Sequence, residues 1–151
     1  AGIAGLVLLI VFSVLLYLRC GNSLFSIQAT LGCLLALAAA FPHELLHAIC
    51  FKDDVYLYTN LKQGLLFVVG PETMSKGRFI FMSLLPNIVF GFLPYIAAML
   101  YSPFAFAGGF GALSIIMGAG DYYNVYHAVT QMPKGARTYL YKFNSFWYMP
   151  S

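Results

Sequence analysis

Charged side chains are scarce in this chain. Of its 151 residues, 9% are Asp, Glu, Lys or Arg, whereas 61% are hydrophobic. A soluble domain carries about 25% charged residues, because its surface must be covered by groups that water solvates. The composition therefore excludes an ordinary soluble protein and predicts an integral membrane protein, and the length suits one domain covering residues 1–151.

A large net charge and a cysteine framework are also missing. The formal net charge is +3 and the basic residues are scattered along the chain, a pattern that does not indicate nucleic-acid binding. The cysteines Cys20, Cys33 and Cys50 show no CxxC spacing. We expect all three to be reduced and to pack as small apolar groups.

The first residue is Ala1 rather than methionine, so we expect the chain to be trimmed or processed. Residues 1–18 are uniformly apolar and lack the basic start and the small-residue cleavage site of a signal peptide. We interpret them as a first membrane span.

Long hydrophobic runs make up most of the sequence. A membrane-spanning helix needs about 20 apolar residues, and four segments qualify: about 1–18, 24–51, 78–101 and 104–130. Turn-like sequences at residues 19–23 and 102–103 predict that neighbouring spans are antiparallel. The predicted fold class is an all-α membrane protein with four transmembrane helices.

A small β-structure interrupts this helical pattern between the second and third spans. The segment after Lys52 is polar at first, and then Val55–Tyr58 and Leu65–Val69 are rich in β-branched and aromatic residues. We predict a β-hairpin over residues 55–69, at or dipping into the membrane surface. Its backbone must be shielded by protein or water, because unpaired peptide groups are not tolerated against lipid.

The basic residues predict the orientation, since lysine and arginine favour the cytoplasmic side. With both termini in the cytoplasm, only Arg19 lies outside. The cytoplasmic basic residues are then Lys52, Lys62, Lys76, Arg78, Lys134, Arg137 and Lys142. We therefore predict a multi-pass protein of the cell membrane with both termini cytoplasmic.

The tail at residues 132–151 is rich in aromatic side chains, namely Tyr139, Tyr141, Trp147 and Tyr148. Aromatic residues concentrate at membrane–water interfaces. The sequence leaves two interpretations open: these rings rest at the level of the lipid headgroups, or they pack on the hairpin.

Two histidines and a glutamate stand in the second predicted span, as His43-Glu44-Leu-Leu-His47. Histidines four residues apart project from one face of a helix and can both reach one Zn²⁺ at about 2.0–2.1 Å. Glu44 can then act as a general base towards water. The alternative is a hydrogen-bonded polar cluster that fixes helix packing. Because ionisable groups within spans are usually functional, we favour the metal.

A zinc site with an open position needs a third protein ligand, and we predict Asp121. In the predicted topology His43 and Asp121 both lie about 25–28 Å from the outer surface, given the helical rise per residue. The small residues Gly118-Ala-Gly120 would let the fourth span approach the alanines at 36 and 38–40 closely. Alternatively, Asp121 is a helix N-cap, and Glu72 or His127 is the third ligand.

Four further residues could contribute to the site. Pro42 removes a backbone donor and should kink the second span there, opening a cavity that water can enter. Asn87 and Asn124 are candidates to bind a substrate carbonyl or the oxyanion, although each could equally be a packing or interhelical contact. Cys50 lies on the face of the two histidines, and we expect it to pack rather than to bind metal.

Three motifs carry a resemblance to a known family: His43-Glu-Leu-Leu-His47, Gly118-Ala-Gly-Asp121 and Pro133-Lys-Gly135. Over residues 24–147 the chain resembles the small bacterial membrane proteins described as putative zincin peptidases, and it is similar to site-2 protease-type intramembrane zinc metalloproteases. The resemblance implies a bacterial protein in which His43, His47 and Asp121 bind zinc and Glu44 activates water. It also implies that the hairpin presents the substrate as an added strand.

The resulting functional prediction is an intramembrane zinc metalloendopeptidase that hydrolyses peptide bonds. Its expected partners are a membrane protein or peptide substrate and the lipid bilayer, with no nucleic acid. Two alternatives of other classes stay open. One is a non-catalytic membrane protein whose metal or polar site is structural or regulatory. The other is a membrane metalloenzyme of redox or lipid-modifying chemistry.

Overall fold

A computed structural model describes residues 2–60, 65–101, 104–141 and 144–151. Helices dominate, as predicted, and two small antiparallel sheets accompany them. The chain divides into two compact units, one formed by Ala1–Ala40 with Asn87–Gly120 and the other by Phe41–Pro86 with Asp121–Ser151.

The elements follow in chain order. The α-helices are α1 (Gly2–Cys20), α2 (Ile27–Ala38), α3 (Ala40–Ala48), α4 (Lys76–Pro86), α5 (Leu93–Leu100), α6 (Ala105–Met117) and α7 (Ala119–Gln131). A 3₁₀ helix at Gly21–Phe25 follows α1, and a π-helix at Asn87–Phe92 joins α4 to α5. The strands are β1 (Tyr56–Asn60), β2 (Leu65–Val69), β3 (Met74–Ser75), β4 (Arg137–Tyr141) and β5 (Asn144–Tyr148).

Fewer candidate membrane spans are found than the four predicted. Among the described residues, Gly5–Phe25 and Lys76–Leu100 are long and apolar enough to cross a membrane, and α2 with α3 makes a third if that bent pair is one span. The prediction of a continuous fourth helix over residues 104–130 is wrong. The chain breaks at Gly118, the C-cap of α6, because glycine is a weak helix former.

The second predicted span is broken as well. A proline ring lacks an N–H and collides with the carbonyl four residues earlier in a continuous helix. For Pro42 that carbonyl belongs to Ala38, the residue at which α2 ends. The predicted kink is therefore present, but it falls at Ala39, and Pro42 lies in the first turn of α3, where proline is tolerated.

Glycines of α6 bring the helices of the first unit together. A Cβ at Gly109 would collide with the carbonyl of Ala29 in α2, and a Cβ at Gly32 would collide with the carbonyl of Phe106. Small residues of this kind let two membrane helices approach closely. The close approach thus uses Gly32 and Gly109. The predicted stretch Gly118-Ala-Gly120 does not supply this contact with α2, since Gly118 packs against Asn87 and a Cβ at Gly120 would meet nothing within 4 Å.

Gly118 has a different role, and this gives a first testable prediction. A Cβ at this position would collide with Oδ1 of the buried Asn87. We expect Gly118→Ala to destabilise the protein by about 1–3 kcal/mol, the usual cost of overpacking. The matched control Gly120→Ala should be neutral or slightly stabilising, because alanine favours a helix. Thermal unfolding of the two variants in detergent measures the difference, and equal midpoints would contradict it.

The second unit contains both sheets. β1 and β2 form the predicted hairpin, with Leu57 opposite Val68. β2 has the predicted bounds, and β1 begins at Tyr56 rather than Val55. The predicted turn at residues 62–64 lies outside the described residues, as do residues 102–103 and Lys142. The second sheet, in the order β3-β4-β5, was not predicted: the aromatic tail forms two of its strands.

A small apolar core holds α4, α7 and the second sheet together. Its buried members are Met74, Phe79, Met82, Ala128, Met132 and Ala136. Lys76 at the start of α4 donates hydrogen bonds from Nζ to the carbonyls of Val129 and Met132, at 3.1 and 2.8 Å. A lysine there satisfies unpaired carbonyls at the C-terminal end of α7 and complements its dipole. These contacts fix α7, which carries Asp121 in its first turn.

Candidate metal centre

The two histidines of α3 lie side by side, as their spacing predicts. The ring centroids of His43 and His47 are 5.0 Å apart, with the ring planes at 76°. One ligand atom from each of His43, Glu44 and His47 lies within 4.8 Å of the other two. These three side chains could therefore hold a metal ion.

Asp121 meets this group from α7. Its Oδ2 is 3.2 Å from Nε2 of His43, and its Oδ1 is 3.4 Å from Nε2 of His47. The three side chains keep 15%, 10% and 17% of their surface exposed, in the order His43, His47, Asp121. The structure thus brings the predicted ligands together. Asp121 is not an N-cap, because it lies inside the first turn of α7.

A backbone contact fixes the tautomer of His47. Its Nδ1 lies 3.0 Å from the carbonyl oxygen of Met82, which can only accept, so Nδ1 carries the proton. In the neutral ring, Nε2 then presents a lone pair to the carboxylate of Asp121. Two electron-rich atoms at this distance need a proton or a cation between them. This is the arrangement in which metal-binding histidines are held, so these residues fit zinc.

The side chain of Glu44 is hydrogen-bonded to the hairpin, whereas Asp121 contacts the two histidines. Its Oε2 accepts a hydrogen bond from the backbone N–H of Val68, at 2.9 Å. β2 pairs with β1 on one side, and this N–H reaches the α3 side chain instead. The hairpin therefore sets the direction of the Glu44 carboxylate beside the two imidazoles.

Polar contacts of Arg78 and Glu72 hold the segment that follows α3. Arg78 forms an ion pair with Glu72 and donates to the carbonyl of Cys50 through Nε at 3.1 Å. Glu72 also accepts the backbone N–H of Lys52 at 2.7 Å. Glu72, one of the rival third ligands, is thus engaged with Arg78 in the structure.

The ion pair between Glu72 and Arg78 predicts how the stability of the protein depends on pH. The hydrogen bond from Arg78 lowers the pKa of Glu72 below its ordinary value of 4.5. A carboxyl with a lowered pKa in the folded state stabilises the fold above its ordinary pKa, and this contribution is lost as the pH falls through the lowered value. We expect Glu72→Gln to be less stable than wild type at pH 7. The difference between their unfolding midpoints should become smaller below pH 4.5. Unfolding midpoints across pH 3–7 test this, and a constant difference would contradict it.

The remaining predicted site residues have contacts of their own. Asn87 belongs to the first unit and is 1% exposed beneath Gly118, which favours its packing interpretation. Asn124 accepts a hydrogen bond from Ser145 at 3.1 Å. His127 pairs with Gln131 at 2.7 Å, and with Asn124 it lines a cleft of about 260 Å³ between α7 and the tail strands.

Cys50 does not join the histidines. Its thiol donates to the carbonyl of Leu46 at 3.4 Å, and its side chain packs against the core of the second unit. The expectation that this cysteine packs as an apolar group agrees with these contacts.

Sequence reasoning missed two backbone groups of the site, the carbonyl of Met82 and the N–H of Val68. They lie 35 and 24 residues from their partners. Backbone groups leave no signature in residue type, so the sequence offers no signal for either. The predicted hairpin did place a strand near the motif, without indicating which N–H would reach Glu44.

Comparison with known protein families gives a match. Residues 36–137, which include α3, the hairpin and Asp121, match the family described as putative zincin peptidase. Neither a curated protein nor a solved structure matches the chain.

Proposed function

Because the chain belongs to the putative zincin peptidase family, we propose that it is a membrane-embedded zinc metalloendopeptidase. His43, His47 and Asp121 would hold the zinc ion, and Glu44 would be the general base. The site-2 protease type, action within the bilayer and the predicted topology are parts of this proposal. Within the described part of the chain, two to three helices are long and apolar enough to span a membrane, which supports membrane association.

The observation that supports the ligand set best is the position of Asp121. One carboxylate oxygen faces Nε2 of His43 and the other faces Nε2 of His47. Two imidazoles and a carboxylate form a typical catalytic zinc site, which keeps its fourth position open. Glu44 is then left free of the ligand role, oriented by Val68.

The chemistry follows from these roles. Zinc, when bound, would lower the pKa of water to about 7 and polarise the carbonyl group of the substrate. Glu44 accepts the proton of the attacking water and returns it to the leaving amine. The Met82 carbonyl holds His47, so Nε2 of this ring stays available as a metal ligand throughout the reaction. Asp121 would balance the positive charge of the zinc ion.

The hairpin supports a peptide substrate in extended form. A helical substrate hides its peptide bonds, so it must unwind, and an added strand offers it replacement hydrogen bonds. A groove of about 520 Å³ lies beside the hairpin, with Phe67 and Val69, the neighbours of Val68, in its wall. The strand that orients Glu44 thus also borders a cavity large enough for apolar side chains.

The proposal is tested with the full chain reconstituted in lipid vesicles. Zinc-loaded wild type is incubated with a panel of single-span membrane peptides, and the products are identified by mass spectrometry. We expect new N-termini that disappear with a chelator and return with zinc. Zinc binding without any cleavage would overturn the peptidase assignment.

One observation favours a second candidate, a polar cluster without catalysis. The contacts of 3.2 and 3.4 Å between Asp121 and the two rings also suit an ion pair with protonated histidine. The protein would then use α3 and α7 as a structural or regulatory junction. Purified wild type that contains no zinc, and binds none when it is added, would support this candidate. Iron or copper in the same analysis would instead indicate redox chemistry.

A further inference from the structure

The strands β4 and β5 present two different faces. Their register pairs Tyr139 with Phe146 and Arg137 with Tyr148, and alternate residues of a strand share a face. One face, which we call the outer face, consists of Arg137, Tyr139, Tyr141, Asn144, Phe146 and Tyr148. The opposite face carries Thr138, which is 3% exposed, and Leu140, which packs on the core of this unit. It also carries Ser145 and Trp147, and Trp147 is 43% exposed.

The outer face is aromatic although it is exposed. Tyr139, Tyr141, Phe146 and Tyr148 expose 39%, 59%, 43% and 39% of their surface. The rings of Tyr139 and Phe146 are stacked at 5.5 Å, and Tyr148 lies 6.1 Å from Tyr139. A sheet face that meets water is normally polar. This continuous aromatic surface therefore indicates a partner that is apolar in part.

The chain after Asp121, which forms this face, carries charge of one sign. No acidic residue follows Asp121 in the sequence, whereas Lys134, Arg137 and Lys142 are basic. Lys134 and Arg137 are exposed, and Arg137 also contacts the side-chain oxygen of Thr73 at 3.2 Å. Aromatic rings favour the headgroup level of a bilayer, and basic residues near a membrane attract anionic lipids.

We propose that the outer face of β4–β5 lies on the headgroup region of a bilayer that contains anionic lipids. Tyrosine suits this position because its ring is apolar and its hydroxyl stays hydrated. A strand-adding protein partner fits less well, since it would pair with an edge of the sheet and would leave the aromatic face uncovered. The proposal is independent of the peptidase assignment.

The single tryptophan of the chain allows a direct test. Trp147→Phe removes it, and adding Tyr139→Trp places a single tryptophan on the outer face with little change in shape. Phe81→Trp in the Trp147→Phe background is the bilayer control, because Phe81 is 58% exposed within the candidate span Lys76–Leu100. Full-length variants are reconstituted in phosphatidylcholine–phosphatidylglycerol vesicles. Fluorescence is quenched either by brominated lipid or by aqueous acrylamide.

We expect brominated lipid to quench the fluorescence of the variant with Trp147→Phe and Tyr139→Trp at least about twofold relative to unbrominated vesicles, because aromatic rings at the headgroup level contact lipid. Strong acrylamide quenching with no lipid quenching, while the Phe81→Trp control responds to lipid, would overturn the proposal. Protection from both quenchers, at a level that depends on the protein-to-lipid ratio, would also overturn it, because a second copy would then cover the face. Matching circular dichroism spectra of the variants and wild type verify that the fold is retained.

Discussion

Glu44→Gln should abolish most of the peptidase activity while leaving the zinc content unchanged. Glutamine cannot accept a proton from water, and loss of general-base catalysis costs about 10²–10⁴-fold in rate. Its side-chain oxygen can still accept the hydrogen bond that Val68 donates to Glu44, so the hairpin contact should survive. The rate of peptide cleavage and the zinc content of the same preparation measure both halves of this prediction.

The control for this experiment is Asp54→Asn, which removes a carboxylate from an exposed position in the loop after α3. It makes the same chemical change without touching the histidines, and we expect full activity. A Glu44→Gln variant that cleaves as fast as wild type would show that another group takes the proton. Loss of zinc together with activity would indicate that Glu44 is a ligand, which its distance to the two histidines also permits.

The second large effect is expected at Asp121. Asp121→Asn replaces an anionic ligand by a neutral one while preserving its shape, and so leaves both imidazoles without a carboxylate. Loss of an outer partner alone lowers metal affinity about 10–100-fold, so loss of a ligand should lower zinc affinity by more than this. Competition with a fluorescent zinc chelator measures the dissociation constant.

His127→Ala is the matched control for the Asp121 variant. It removes an imidazole from the same helix, at a position where His127 contacts Gln131 instead of the metal group. We expect its zinc affinity to equal that of wild type. If Asp121→Asn keeps its zinc and His127→Ala loses it, the rival ligand set is the correct one.

The sequence predicts the helical character, the hairpin and the side-by-side histidines, because each depends on local pattern. Four-residue spacing alone aligns His43 with His47, and a short run of β-branched, aromatic and other apolar residues indicates β2. The argument that linked Asp121 to His43 assumed two continuous spans, and both are broken. The chain nevertheless brings the carboxylate to the rings, since α3 begins just before the histidines and α7 just before Asp121.

The second sheet could not be predicted in the same way. β3 has two residues and pairs with a strand 64 positions further along, with Met74 opposite Thr138. A strand this short has no periodicity to detect. The stretch from Arg137 to Tyr141 contains a threonine and two tyrosines, residue types that are favoured in strands, so its strand character was present in the sequence as a weak signal.

The most direct test of the shared cation is X-ray absorption spectroscopy at the zinc edge of the purified full-length protein. The proposed site predicts only nitrogen and oxygen neighbours near 2.0–2.1 Å, with the outer-shell scattering of two imidazoles, reduced to one in His47→Ala. A sulfur neighbour at about 2.3 Å, or an identical spectrum for wild type and His47→Ala, would contradict the account.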